Sequence, residues 1–260
     1  PSGAGSITKI PTIMRKRGWD IAAELMERWF KRPASNQPDQ NPPEESVVKM
    51  DWVLGFSRAK IVYDKILSNK EYANPAAVSL LKKRLKDAGV TSGNFNFWRN
   101  QTGGAFTAGA VTVGVAAKHK YHNQTRNVDS YAGSLTNAAD HLSAALANFS
   151  FHTLISGCVS GNSINIDSVA AYVRDSYDFN GDQKKFGVFD PGLGVWDFDD
   201  MEFDGVGEFF AGSGYGTAVR IRNEHFRHWR SFIGNGKGGD YIIYSDLKVT
   251  RLKEPVVVSK

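Results

Sequence analysis

Two carboxylates and a phenol stand together in the stretch Val173-Arg174-Asp175-Ser176-Tyr177-Asp178-Phe179-Asn180. Asp175 and Asp178 are i,i+3 neighbours, a spacing that brings two side chains within reach of each other on the end of a helix. Like charges so placed push one of the two pKa values up, which is how an acid and a base are made from one residue type. Alternatively both stay ionised and hold Mg2+ or Ca2+ through oxygen. Tyr177, between them, orients a phosphate or donates to a leaving oxygen. The structural alternative is an aspartate at a helix C-terminus beside a core tyrosine.

A second polar cluster reads Asn223-Glu224-His225-Phe226-Arg227-His228-Trp229-Arg230. On a helix, His225 and His228 are i,i+3 neighbours, and Arg227 and Arg230 form another such pair. Histidine shuttles protons near neutral pH, and arginine clamps phosphate bidentately. If this helix folds back onto the acidic turn, Asp175, Tyr177, Asp178, His225, Arg227, His228 and Arg230 form a catalytic site, with Asp175 and Asp178 as metal ligands. The alternative is a surface helix with solvated cations and with Phe226 and Trp229 on the core. His225-x-x-His228 also has a zinc-binding look, although i,i+4 is the commoner helical spacing and no cysteine or third histidine is near in sequence. His119-x-x-His122 is similar but reads as loop. Asp178, Asn180 and Asp182 begin like a calcium loop, yet Gln183 and Phe189 stand where glycine and a bidentate glutamate are required. The chain holds no phosphate loop, nucleophile elbow, dinucleotide fingerprint or His-Glu-x-x-His.

The elements that must position these clusters fall into a helical region over 7–90 and a β-rich candidate catalytic region over 91–260, or one compact unit of both. Ile21, Leu25, Met26, Trp29 and Phe30 share a helix face, and Pro33 ends that helix. Asn74-Pro75 opens another with Val78, Leu81 and Leu85 as its stripe and Gly89 as its stop. Phe106 to Ala117 alternates as a strand does, Thr136 caps a short helix, and Asn148 to Val159 and Tyr241 to Tyr244 read as strands. Asp167 looks like the cap of a helix that ends at the acidic turn. Asn223 caps the last helix. The expected class is α+β: an N-terminal helical part packed on a mostly antiparallel, β-rich C-terminal part with short helices.

Composition bounds the function. Of 260 residues, 41% are hydrophobic and 23% charged, which fits a folded chain and excludes disorder. No apolar run approaches the roughly 20 residues of a membrane helix. The formal charge of +5 suits an anionic partner or simply solubility. A single cysteine, Cys158, excludes an internal disulfide. The start lacks the charged and apolar regions of a signal peptide, so a protein acting outside its own cell would need a dedicated secretion machine or a fusion partner to carry it.

Two resemblances add to this reading. Through Ile10-Pro11 with Met14-Arg15, Leu25-Met26-Glu27-Arg28-Trp29-Phe30, Lys49-Met50-Asp51-Trp52, Phe56-Ser57-Arg58-Ala59, Asn74-Pro75-Ala76 and Arg174-Asp175-Ser176-Tyr177-Asp178-Phe179, the chain resembles an uncharacterised bacterial domain family found near type VI secretion and polymorphic-toxin genes. Locally, Asp175-x-Tyr177-Asp178 is similar to the Asp-x-Tyr-Asp signature of colicin M-type bacteriocins. Those proteins cleave the undecaprenyl-pyrophosphoryl link of lipid II in the periplasm with Mg2+. The His-Arg pair that follows their signature is Lys184-Lys185 here, so histidine and arginine must come from the 225–230 cluster.

The resemblances imply a secreted antibacterial effector, a hydrolase that cuts a phosphodiester or pyrophosphate bond of a lipid-linked peptidoglycan precursor in the target cell's periplasm. Its partners would be a secretion-system carrier and a cognate immunity protein, with no integral membrane segment. The alternatives are a nucleic-acid-targeting toxin, drawing on basic charge and on Trp98, Tyr121 and Trp229, and a non-enzymatic adaptor domain of a secretion system.

Overall fold

A computed structural model of the chain describes residues 4–99, 114–129, 139–181, 193–205 and 218–260. Most of the strand expected from Phe106 onward lies outside these residues, as do the Thr136 cap, Asp182, Lys184-Lys185 and Phe189. Helices run α1 Ile10–Lys16, α2 Asp20–Lys31, α3 Met50–Val53, α4 Ser57–Ser68, α5 Pro75–Asp87, α6 Val115–Lys118, α7 His141–Leu146 and α8 Asn223–His228. Strands run β1 Gly93–Asn96, β2 Gln124–Asp129, β3 Asn148–Ser160, β4 Ser163–Tyr177, β5 Val195–Asp197, β6 Glu202–Gly205, β7 Ala218–Arg220, β8 Tyr241–Tyr244 and β9 Lys248–Ser259. Helices lead and antiparallel strands follow, so the class is α+β.

The chain divides into two compact units, each discontinuous in sequence. The first comprises Pro1–Val47, Ser130–Asn148 and Ser176–Ile242; the second comprises Val48–Asp129, Phe149–Asp175 and Ile243–Lys260. Region 7–90 contributes to both. Among the described residues no helix is long and apolar enough to cross a membrane.

In the first unit, α2 buries the face made by Ala22, Ala23, Leu25, Met26 and Trp29. Trp29 is fully buried and lies edge-on to Phe30, Phe179 and Phe226. Its indole Nε1 donates to Asp240 at 2.8 Å, which supplies the partner a buried indole needs. The strands β6, β5 and β7 form a separate small antiparallel sheet in that order.

The second unit is organised on the β3–β4 hairpin. Gly161, at φ +56°, makes the turn, and Ser160 pairs with Ser163 at its base. β1 and β2 pair with β3, while β8 and β9 pair with β4. Asn74 caps α5 as its sequence implies, accepting the Ala77 N–H at 2.8 Å, with Pro75 in the first turn.

Three local expectations are overturned: Val115 to Ala117, the described end of the strand expected from Phe106, lie in helix α6; Asn223 is the first residue of α8, whose cap position is Arg222; and the segment after Asp167 is not helical. Asp167 caps no helix: the segment after it is the middle of β4. Val169 to Val173 are buried without a break, so the strand shows no polar alternation. A strand covered on both faces and a buried helix cannot be told apart by periodicity. Asp167 itself sits at a shift in the β4–β9 ladder, between Ile166 and Ser168, where a bulge leaves one residue unpaired.

Candidate metal centre

Three of the six histidines converge in the second unit: His119, His122 and His152 each offer a ring nitrogen, all within 4.8 Å of one another. Local structure explains the first two. After α6 the chain tightens into a 3-10 turn over His119–Tyr121. Residues three apart eclipse in such a turn, and the His119 and His122 rings stack with centroids 4.5 Å apart and planes within 6°. The turn is tied down from two sides. Arg84 Nε of α5 donates to the His122 carbonyl at 3.1 Å. The next residue, Asn123, is fully buried: its amide donates to the Tyr72 carbonyl at 2.8 Å and accepts from Thr153 Oγ1 at 2.8 Å. Thr153 adjoins His152, so Asn123 couples the turn to the strand that carries the third ring.

His152 comes from β3, directly opposite Tyr172 of β4, and the two rings stack 5.6 Å apart. Each histidine has its Nδ1 engaged. That of His122 meets the His119 carbonyl at 2.7 Å, that of His119 the Tyr172 hydroxyl at 2.7 Å, and that of His152 the Thr125 hydroxyl at 3.0 Å. A carbonyl only accepts, so the His122 Nδ1 carries the proton and its Nε2 presents a lone pair. Outer hydrogen bonds of this kind fix the tautomer and orientation of metal-binding imidazoles.

The rings are held neutral. Burial first, then His122, Arg174 and Arg84, bring His119 down to about 4. Burial, then the other two rings and Arg174, bring His152 down to about 3. His122 is also lowered, by burial first, against the pull of its hydrogen bond to His119. Neutral imidazole is the form that binds metal. Zinc–nitrogen bonds of about 2.0–2.1 Å at a tetrahedral centre set nitrogens about 3.3 Å apart, so seating an ion would draw together ring nitrogens that lie within 4.8 Å of one another. No fourth histidine, cysteine or carboxylate joins the group among the described residues. Three ligands with an open position are the pattern of catalytic rather than structural zinc. His119 and His122 are partly exposed.

The residues singled out in the sequence are placed as follows. Asp175 lies near the end of β4 in the second unit, on the strand face opposite Tyr172 and Arg174. Tyr177 is buried in the first unit, stacked on Tyr241 at 5.2 Å. The Asp178 carboxylate is satisfied locally, accepting from Ser176 Oγ at 2.7 Å and from the Asn180 N–H at 3.2 Å, a side-chain-closed turn.

Helix α8 does meet this turn, through Phe179 to Gly181. Phe179 stacks on Phe226 at 3.8 Å, Arg227 Nη1 donates to the Phe179 carbonyl at 2.9 Å, and Asn223 Nδ2 donates to the Gly181 carbonyl at 2.6 Å. Arg230 is paired with the buried Asp240 at 3.0 Å and also reaches Asn180 Oδ1 at 3.2 Å. His225 is buried and its Nδ1 accepts the Arg222 N–H at 3.0 Å, capping its own helix. His228 lies against the exposed Phe232. These bonds anchor α8 on the turn.

His152 is the candidate ligand that sequence reasoning missed. His119-x-x-His122 carried a visible signal, but its third partner sits about thirty residues on, in a strand, and only the β3 register brings it back. A family of unknown function (DUF6402) matches residues 6–260. No curated protein and no solved structure matches.

Proposed function

With the chain belonging to this family of unknown function over nearly its whole length, we propose that it is a metal-dependent hydrolase whose centre is His119, His122 and His152. The observation that carries the reading is the convergence of three neutral imidazoles, each with its Nδ1 already held. Imidazole donors select zinc or a similar borderline ion over Mg2+, whose sites are built from oxygen. A bound ion with an open position lowers the pKa of its water towards about 7 and supplies hydroxide at neutral pH. Tyr172, bonded to His119, would hold that ring in place as a ligand.

The narrower reading keeps the bond nominated by sequence resemblance. There the substrate is the pyrophosphoryl link of a lipid-linked cell-wall precursor, cut in a target cell's periplasm by a secreted antibacterial effector with an immunity partner. The bond rests on the Asp175-Ser176-Tyr177-Asp178 resemblance and the secreted, toxic context on the wider sequence resemblance, and the family match names neither secretion nor toxins.

Titration of the metal-free protein with zinc and cobalt tests the centre. One ion per chain is expected, with His152→Ala weakened by more than the roughly 10–100-fold that loss of an outer partner costs. Absence of uptake by the parent protein overturns the proposal. Zinc-loaded protein is then assayed on bis(4-nitrophenyl) phosphate and on lipid II. Uptake without turnover of either leaves a metal-binding domain and removes the hydrolase; cleavage of the diester alone removes the lipid II reading.

A further inference from the structure

Arg174 stands beside the histidines with no carboxylate partner among the described residues. It follows Tyr172 by two residues on β4, so strand alternation sets both on one face. Tyr172 is opposite His152 in the ladder and Arg174 is opposite Ser150, which makes Arg174 the diagonal neighbour of His152. Such diagonal neighbours are about 7–8 Å apart, within reach of long side chains. Its Nε donates to the Tyr244 hydroxyl at 3.3 Å, and its guanidinium carbon lies 5.9 Å from the same ring. Tyr244 is its partner among the described residues, and neither terminal amino group has a carboxylate there. Arg84 differs: it uses Nε on the His122 carbonyl and lies 4.0 Å from Asp87, so it holds the turn.

The local charge points the same way. Arg174 bears on all three rings and Arg84 on His119 and His122, and both are positive. A divalent ion on three neutral ligands adds two more positive charges. Only an anion balances that sum. A planar guanidinium fork, oriented through one nitrogen with two amino groups left over, matches the paired oxygens of a phosphoryl group.

We infer that Arg174, oriented by Tyr244, is a substrate-binding residue that grips a phosphoryl oxygen while the metal at His119, His122 and His152 faces the same phosphorus. The inference rests on the metal-centre reading. It draws the substrate class from a β4 side chain rather than from the acidic turn.

Inorganic phosphate and acetate are titrated calorimetrically into the cobalt-loaded parent protein, Arg174→Gln and Arg174→Lys, with cobalt absorption reporting the metal in each. Phosphate is expected to bind the parent at least about tenfold more tightly than acetate. Arg174→Gln is expected to lose about tenfold or more of that affinity, the usual weight of a hydrogen bond to a charged group. Arg174→Lys should be intermediate, and cobalt affinity should be unchanged in Arg174→Lys, which keeps the charge, and equal or tighter in Arg174→Gln, where a nearby cation is gone. Retained cobalt shows that the variants are folded at the centre. Cobalt uptake with phosphate affinity unchanged in Arg174→Gln overturns this inference and leaves the metal centre standing. Phosphate bound no better than acetate overturns the phosphoryl assignment. No cobalt uptake by the parent removes the metal reading and this inference with it.

Discussion

At the scale of single residues, Asp178 and Arg230 make a contrast. Asp178 has its two oxygens satisfied by neighbours at the surface of one turn. Asp178→Ala is therefore expected to cost no more than about 1 kcal/mol of stability and to leave zinc affinity unchanged, read by urea unfolding and metal titration. Arg230 pairs with Asp240, whose side chain is 0% exposed and whose pKa burial raises despite bonds from Trp29, Arg230 and Asn180. Arg230→Ala strands that carboxylate and is expected to cost about 3–5 kcal/mol. A loss of activity in that variant would report unfolding, so thermal melts must accompany any assay. Glu44 supplies a pH test. Burial pushes its carboxyl up, but the Ser46 hydroxyl and N–H, Arg28 and the Val47 N–H together bring it below its usual 4.5. A depressed carboxylate stabilises the fold above its unfolded pKa, and that contribution is lost as pH falls through 4.5 towards the folded value. Glu44→Gln should flatten this part of the stability–pH curve in urea melts taken between neutral pH and about pH 3.

At the scale of elements, the 3-10 turn and β3 are joined by Asn123, with bonds to Tyr72 and Thr153. Asn123→Ala leaves a buried carbonyl and a buried hydroxyl without their partner, at about 1–3 kcal/mol. It also frees the turn, so zinc affinity should fall in step. A variant that loses stability yet keeps zinc affinity would show that the turn needs no such anchor. Elements with an uninterrupted local signal were legible in the sequence: the Asn74-Pro75 helix, the strand from Asn148 and the Tyr241 to Tyr244 strand all match. The segment after Asp167 was not, because a strand buried on both faces erases the alternation that identifies one. The candidate site was half legible. Its His-x-x-His pair was in view, whereas His152, Tyr172 and Arg174 become neighbours only once β3 and β4 are paired in register.

At the scale of the molecule, stability should follow free metal. A ligand that binds only the folded state adds about 2.7 kcal/mol at a hundredfold excess over Kd. For a chain of 260 residues, that corresponds to a rise of about 5–10 °C in the transition that exposes the histidines. Scanning calorimetry with and without zinc, and with the His152→Ala variant as control, reads it. An equal shift in the variant would assign the effect to other surface groups. With a single cysteine, no internal disulfide competes as an explanation. The ladder between Ser150 and Ser156 of β3 and Ser168 and Arg174 of β4 runs without a shift, and it sets His152, Tyr172 and Arg174 on one face. Side chains alternate with period two, so inserting or deleting one residue there turns all that follow to the other face. Chain length in these two stretches is therefore the quantity that inheritance must hold fixed. Substitutions can accumulate around the centre, but insertions and deletions should be confined to the Gly161 turn and to loops beyond the ladder.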